Sequence, residues 1–490
     1  MATDERGRGR AGEGRPPILS LYSPLSAIVR REPETVPPEA TVRAVLERMD
    51  QLRLERIVVA DPASGVPLGM FTLRDLVRRV TLPGGDLGQP IAFAMTAGLV
   101  GLHPQATAHQ AALLMARHGV QHVVVTEPGG RLVGVVSQAD LFGLQRVGVE
   151  EISGDIEAAR DVEALRAAAG RIGELASGLL AQGTGVETLT QFISTLNDLL
   201  TLRVIELTLD AHEVPPVPLC WIALGSEGRL EQTFATDQDN GLVFEADDED
   251  APRVREALLP YARAVNEALA RCGFPLCNGG IMAGNPRWCL TLSEWKRQFA
   301  RWIQEPNPQD LLHAAIFFDL RPIHGTVALA EQLRAWLLET TADRPLFLRF
   351  MAQNALQCQA PLGTIREFVF DSKEFPRTLE LKMYGSRPFV DAARILSLAH
   401  GVAHTHTAER LRGAAGPARI DPESAAALVD GFHFIHLLRL RNQRRGATGP
   451  LANRVAPAEL NDLDRHVLKE AFRQSRKLQE HLVRTYELQG

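Results

Sequence analysis

The sequence predicts a multidomain chain with mixed α/β parts and all-helical parts, and three observations predict it. A repeat of period 65 occupies roughly the first third: Gly69-Met70-Phe71-Thr72-Leu73-Arg74-Asp75 returns as Gly134-Val135-Val136-Ser137-Gln138-Ala139-Asp140. Farther on, an apolar strand at residues 219–224 runs into a glycine turn and then two acids one residue apart, Asp237 and Asp239. Residues 148–213 and 329–489 carry their apolar side chains at helical spacing. With 490 residues, several full cores fit.

A net charge of −6 argues against a mainly electrostatic nucleic-acid binder. The five cysteines, Cys220, Cys272, Cys277, Cys289 and Cys358, are odd in number and lack paired metal spacing, which predicts reduced thiols and no zinc site. Residues 1–17 hold Gly, Arg and Glu without an apolar core and read as a disordered tail. No apolar run approaches membrane-spanning length, so a soluble, cytoplasmic protein is expected.

Two modules follow, at about 18–82 and 90–147. Each reads as helix, strand, turn, strand, helix, with β-branched strands at Arg56-Ile57-Val58-Val59-Ala60 and His122-Val123-Val124-Val125-Thr126. Thr72-x-x-Asp75 and Ser137-x-x-Asp140 fit a capping-box variant, in which hydroxyl and acid satisfy free amides at a helix start. The repeat with these motifs resembles a tandem pair of CBS domains (cystathionine-β-synthase type). The resemblance implies an AMP- or ATP-type ligand, with Asp75 and Asp140 on ribose hydroxyls and Thr72 and Ser137 on phosphate. Residues 148–213 then form a helical linker hairpin with one apolar face, which either transmits the ligand state or serves as a spacer. CBS pairs and this hairpin together make a homodimer the expectation.

The next block, residues 214–335, holds the chemistry. Its strand at 219–224 leads to a tight turn at Gly225-Ser226, a helical turn at 228–232 and a second strand from about 237. On that strand Asp237 and Asp239 share a face while Gln238 points away. Such paired carboxylates suit a hard cation, Mg²⁺ or Mn²⁺, which takes its remaining ligands from water and substrate phosphates. Gly225 permits close backbone approach, and the Ser226 hydroxyl and nearby amides favour an anion.

Gly225, Gly228, Arg229, Glu231, Asp237 and Asp239 fall without a gap on the pattern Gly-Gly-x-Gly-Arg-x-Glu, five residues, Asp-x-Asp, with Ser226 in place of the second glycine. The stretch thus resembles the nucleotidyltransferase superfamily, closest to its PII-uridylyltransferase branch. The resemblance implies an α/β palm, a UTP or ATP substrate with Mg²⁺ (or Mn²⁺), and Gly225, Ser226 and Arg229 at the phosphates. It also implies a protein acceptor and a third metal carboxylate from a neighbouring strand. Arg229 and Glu231 additionally fit an ion pair that braces the loop. PII uridylyltransferases also carry a His-Asp phosphohydrolase domain; no His-Asp dipeptide occurs here, so the reverse activity is not expected.

Residues 254–272 read as an amphipathic helix, and 274–283 as a short strand broken by a glycine pair. Trp288, Trp295, Phe299 and Trp302 read as a packed helix face, with base stacking as the alternative. Residues 314–323 read as a buried strand containing Asp319. That acid is either the third metal ligand or the partner of Arg321 two residues on. The C-terminal helical domain, residues 336–490, brings Lys382 and Arg387, which could reach a triphosphate. His400, His404 and His406 lack an acid at ligand spacing.

The reading is a Mg²⁺-dependent nucleotidyltransferase that moves UMP or AMP to a hydroxyl, with adenine nucleotide at the CBS pair as regulator. Its rival is an inactive adenine-nucleotide-sensing scaffold. Asp319 discriminates between them: beside Asp237 and Asp239 in the enzyme, turned away to Arg321 in the sensor.

Overall fold

The computed structural model describes residues 23–29, 33–363, 368–370 and 373–488. The chain divides into two compact units, residues 1–151 and 152–490. The disordered-tail expectation falls outside the described residues.

In the first unit each repeat folds as expected. Helix α1 (Val42–Leu52) is capped by Thr41 and buries Val42, Val45 and Met49. Strands β1 (Arg56–Ala60) and β2 (Pro67–Thr72) pair antiparallel, with Val58 opposite Met70, and Thr35–Val36 adds a parallel edge. The second repeat has α2 (Ala108–His118), opened by a Thr107/Gln110 capping box, and the antiparallel pair β3 (His122–Thr126) and β4 (Leu132–Ser137). Each repeat has its own apolar core, and a third cluster around Val58, Met70 and Val124 joins the two sheets. After β4 runs α3 (Gln138–Ala158).

The second unit opens with the expected hairpin, α4 (Val162–Ala181) and α5 (Val186–Leu209). Its apolar face does not wait for another subunit. Ala176, Leu180, Leu189 and Ile193 pack with Leu440 of the same chain.

The central sheet has four strands: β5 (Leu219–Ala223), β6 (Asn240–Phe244), β7 (Cys289–Thr291) and β8 (Arg321–Gly325), in the order β7-β6-β5-β8. β7 runs parallel to β6, and β5 is antiparallel to both its neighbours. β6 is buried along its whole length, including the side chain of Asn240 at its start. Between these strands lie α6 (Gly225–Gly228), a single turn, α7 (Ala251–Arg271), α8 (Leu292–Gln304) and α9 (Pro308–Phe317). Trp288, Trp295, Phe299 and Trp302 are buried on one side of the sheet, and the Trp288 and Trp295 rings stack at 6.2 Å.

Four local expectations are corrected. Residues 314–323 are the end of α9 followed by β8, because Asn307 caps the Asp310 amide, Pro308 starts the helix, and Leu311, Ala314 and Phe317 are buried at helical spacing. Residues 274–283 form turns rather than a strand, with Gly280 at φ +64°. The second strand starts at Asn240, so Asp237 and Asp239 stand in the loop before it, and the helical turn starts at Gly225 rather than Gly228.

The C-terminal helices that matter for the site are α10 (Arg387–Ala399), α11 (Thr407–Ala415) and α12 (Pro422–Arg444). They share one apolar core with the sheet.

Candidate active site

The site is built on the turn between β5 and β6. Gly225 sits at φ +54°, and a Cβ there would stand 2.7 Å from the Asp239 carboxylate. A Cβ at Gly228 would collide with the Asp319 carbonyl oxygen. Both glycines are therefore needed for the turn to lie against its neighbours. The Leu224 amide donates to the Asp239 carbonyl at 2.8 Å, which ties the turn to the acidic loop.

Asp237 and Asp239 do come together, though not through strand alternation. Gln238 between them is buried and donates to the carbonyls of Asn266 (2.9 Å) and Phe274 (2.8 Å), while Asn240 accepts from Asn266 (3.0 Å) and from the Ala283 amide (2.8 Å). These anchored side chains turn the two acids the other way, into a cavity of roughly 380 Å³. Burial, and next the charge of Asp237, push the Asp239 carboxyl up to about 6, against the pull of Cys277, Lys382 and Arg229. One ligand atom from each of Asp237, Asp239 and Cys277 lies within 4.8 Å of the others. The donor set fits a divalent cation, whose charge would offset that of the two carboxylates.

Gly225 and Ser226 line the same cavity. The C-terminal helical segment supplies cations around it: Lys382, Arg387 and Arg439. Arg387 is held by Asp391 at 3.2 Å. Arg439 is buried and donates to Asn453 at 2.9 Å, but no carboxylate of the described residues lies within ion-pair distance of it, and burial lowers its pKa to about 10. A buried guanidinium without an anion is costly, and an anionic ligand would compensate it.

Arg229 and Glu231 form the expected brace, Nε to carboxylate at 2.7 Å, and Glu231 also accepts the Thr407 amide at the start of α11 at 2.6 Å. Arg229 lines the cavity as well.

Asp319 takes a place that neither expectation described. It is fully buried and bonded to Arg229 (2.6 Å), to Arg394 of α10 (2.9 and 2.6 Å) and to Arg410 of α11 (2.5 Å). Burial alone would raise its pKa, but the three guanidinium groups outweigh it and hold the carboxyl well below the ordinary range. With both oxygens committed, Asp319 is no metal donor. Arg321 pairs instead with Asp198 of α5 at 2.9 Å and donates to the Glu227 carbonyl at 3.1 Å.

Glu227, unremarked in the sequence, is buried beside Asp198 and Arg321, and burial pushes it up to about 8. Cys277, outside the expected site, also lines the cavity, and the Asn278-Gly279-Gly280 turn after it is the signal the sequence offers. The four aromatic side chains are core, and none lines the cavity. The histidine trio forms no metal-type cluster among the described residues.

In the first unit both capping boxes are present. Thr72 Oγ1 donates to Asp75 at 2.7 Å and accepts the Asp75 amide at 3.3 Å; Ser137 and Asp140 repeat this at 2.6 and 3.1 Å. Asp75 also accepts from Thr96 at 2.8 Å, and Arg56 stands 3.5 Å from Asp140.

A family model described as "Putative nucleotidyltransferase DUF294" matches residues 170–309, and one described as "Putative nucleotidyltransferase substrate binding domain" matches residues 345–486. The CBS domain model matches twice, at residues 25–81 and 90–146. The CBS domain-containing protein YhcV of Bacillus subtilis is 33% identical over 107 residues, 22% of this chain and 74% of that protein. An uncharacterized 17.7 kDa protein of Acidianus ambivalens is 27% identical over 121 residues, 25% of this chain and 72% of that protein. Among solved structures, a CBS domain protein of Pyrobaculum aerophilum complexed with AMP is 29% identical, with a TM-score of 0.23 over 24% of this chain and 90% of that one. No helix among the described residues is long and apolar enough to cross a membrane.

Proposed function

This chain belongs to the CBS-domain-containing proteins and carries a nucleotidyltransferase domain with its substrate-binding domain behind the CBS pair, and we propose that it transfers UMP or AMP from UTP or ATP to a hydroxyl of a protein acceptor. The observation that carries this reading is the cavity that sets Asp237 and Asp239 against the Gly225-Ser226 turn, with Lys382, Arg387 and Arg439 around the same space.

Each chain residue has a role by position. The Gly225 backbone and the Ser226 hydroxyl cradle the outer phosphates. Arg439 and Lys382, which have no ion-pair partner among the described residues, counter their charge. Asp237 and Asp239 would hold Mg²⁺ or Mn²⁺, which when bound neutralises the triphosphate and lowers the acceptor hydroxyl's pKa. The acceptor hydroxyl gives its proton to solvent, its oxygen bonds to the α-phosphorus as the bond to the bridging oxygen breaks, and pyrophosphate leaves. Arg229 keeps the turn in place through Glu231 and Asp319. In the CBS pair, Asp75 and Asp140 would take ribose hydroxyls and Thr72 and Ser137 the phosphate of an AMP- or ATP-type regulator, in a homodimeric, cytoplasmic enzyme.

One observation favours the rival sensor reading: Asp319 is not available as a third carboxylate. The experiment that separates the two supplies α-phosphate-labelled UTP or ATP, with Mg²⁺ or Mn²⁺, to the purified protein and to cell lysate, with and without AMP. A labelled protein band that disappears in the Asp237→Ala/Asp239→Ala double variant is the expected result. No label under any condition, together with AMP binding, would establish the sensor.

A further inference from the structure

The site described so far has two carboxylates where a three-donor protein site would be expected, and the other acids that line the cavity are occupied. Asp391 and Glu231 line the cavity, but each is paired with an arginine, and Asp319 is caged by three. Cys277 is different. Its sulfur lies with the Asp237 and Asp239 oxygens inside 4.8 Å, the one group of that kind among the described residues. Of the five cysteines it alone is half-exposed, and it opens onto the cavity while Cys220, Cys272, Cys289 and Cys358 are buried.

The placement of that sulfur is built rather than incidental. The Gly280 amide donates to the Cys277 carbonyl at 2.9 Å, closing the turn that carries the sulfur beside the two acids. The segment is stapled to the acidic loop on both sides: Gln238 N donates to the Pro275 carbonyl at 3.2 Å, and Asn240 N to the Ile281 carbonyl at 3.2 Å.

We propose that Cys277 is the third protein donor of the Asp237 and Asp239 metal site, and that the site therefore takes a thiophilic divalent cation of the Zn²⁺ or Co²⁺ class ahead of Mg²⁺. This rests on the metal-site reading of the acid pair. Mg²⁺ takes oxygen ligands, whereas a thiolate shifts preference toward softer ions. On binding, the thiol loses its proton to solvent and a metal–sulfur bond forms, so the expectation from cysteine spacing that no thiol here meets a metal is set aside.

The test is titration of the full-length protein with Co²⁺, followed by absorption. A saturable near-ultraviolet thiolate-to-Co²⁺ charge-transfer band at one Co²⁺ per chain is expected. It should be lost in Cys277→Ser and in Asp237→Ala/Asp239→Ala, kept in Cys358→Ser, and abolished by Zn²⁺ but not by an equal concentration of Mg²⁺. Thermal unfolding of each variant checks that it is folded. Co²⁺ binding that needs the two acids but gives no band would overturn the inference and leave the transferase reading standing, with Cys277 as a hydrogen-bond donor to Asp239. No Co²⁺ binding while labelled nucleotide is still transferred with Mg²⁺ would also overturn it. Neither metal binding nor transfer would overturn both.

Discussion

Asp319 joins three arginines from three separate stretches of chain, one of them the turn after β5. Its partners Arg394 and Arg410 lie 75 and 91 residues away. That a buried acid at this position needs a partner was legible in the sequence; which partner was not, because only tertiary folding brings such distant residues together. Asp319→Asn leaves buried guanidinium groups uncompensated and should cost about 3–5 kcal/mol in urea unfolding. Its folded-state pKa lies below the unfolded one, so its contribution is present above about pH 3.8 and lost as pH falls below that value. Wild type should therefore lose stability in acid more steeply than Asp319→Asn. Glu227 has the opposite sign. Its pKa is raised from 4.5 to about 8, so the folded state holds the proton more tightly and stability falls as pH rises between those values. Glu227→Gln should remove that slope, at most about 1.4 kcal/mol per pH unit, in unfolding midpoints measured from pH 5 to 8.

At the scale of elements, α5 reaches the turn after β5 directly. Asn197 donates to Gln232 at 3.1 Å, Ser194 accepts the Gln232 amide at 3.2 Å, and Asp198 holds Arg321, which in turn holds the Glu227 carbonyl. Helical periodicity revealed α5 and its apolar face but not these polar contacts, which use the positions that a hydrophobic pattern ignores. Asp198→Ala should cost about 1–3 kcal/mol, since it strips the Arg321 guanidinium of its ion pair. It should also slow nucleotide transfer at unchanged metal affinity, because the turn is displaced while Asp237 and Asp239 keep their own anchors. The α9 segment departs from the strand expectation for a related reason. A short apolar run looks alike as buried strand or buried helix, and the Asn307-Pro308 cap ahead of it carried the better information. The acid pair survived the misplaced strand boundary because Gln238 and Asn240, which alternate with the acids, are anchored by Asn266, Phe274 and Ala283.

For the whole molecule, the repeat and the glycine-acid motif made the order of the parts legible, since both depend on local spacing. The cationic side of the cavity was only partly visible: Lys382 and Arg387 stood out, whereas Arg439 sits in an apolar helix and gains meaning only from where α12 packs. Under the proposed regulation, AMP at 100 times its Kd should stabilise the CBS unit by about 2.7 kcal/mol in thermal unfolding. Asp75→Asn/Asp140→Asn should lose that shift while keeping transfer without AMP. An unchanged AMP shift in that variant would remove both acids from the ligand site. The most direct test of the central claim is pyrophosphate release from UTP and ATP, with divalent cation and acceptor-containing lysate, by wild type and by Asp239→Asn at matched unfolding midpoints. The account predicts release with one of the two nucleotides by wild type and its loss in Asp239→Asn. Equal release from both proteins, or none from wild type while it binds nucleotide, would contradict it.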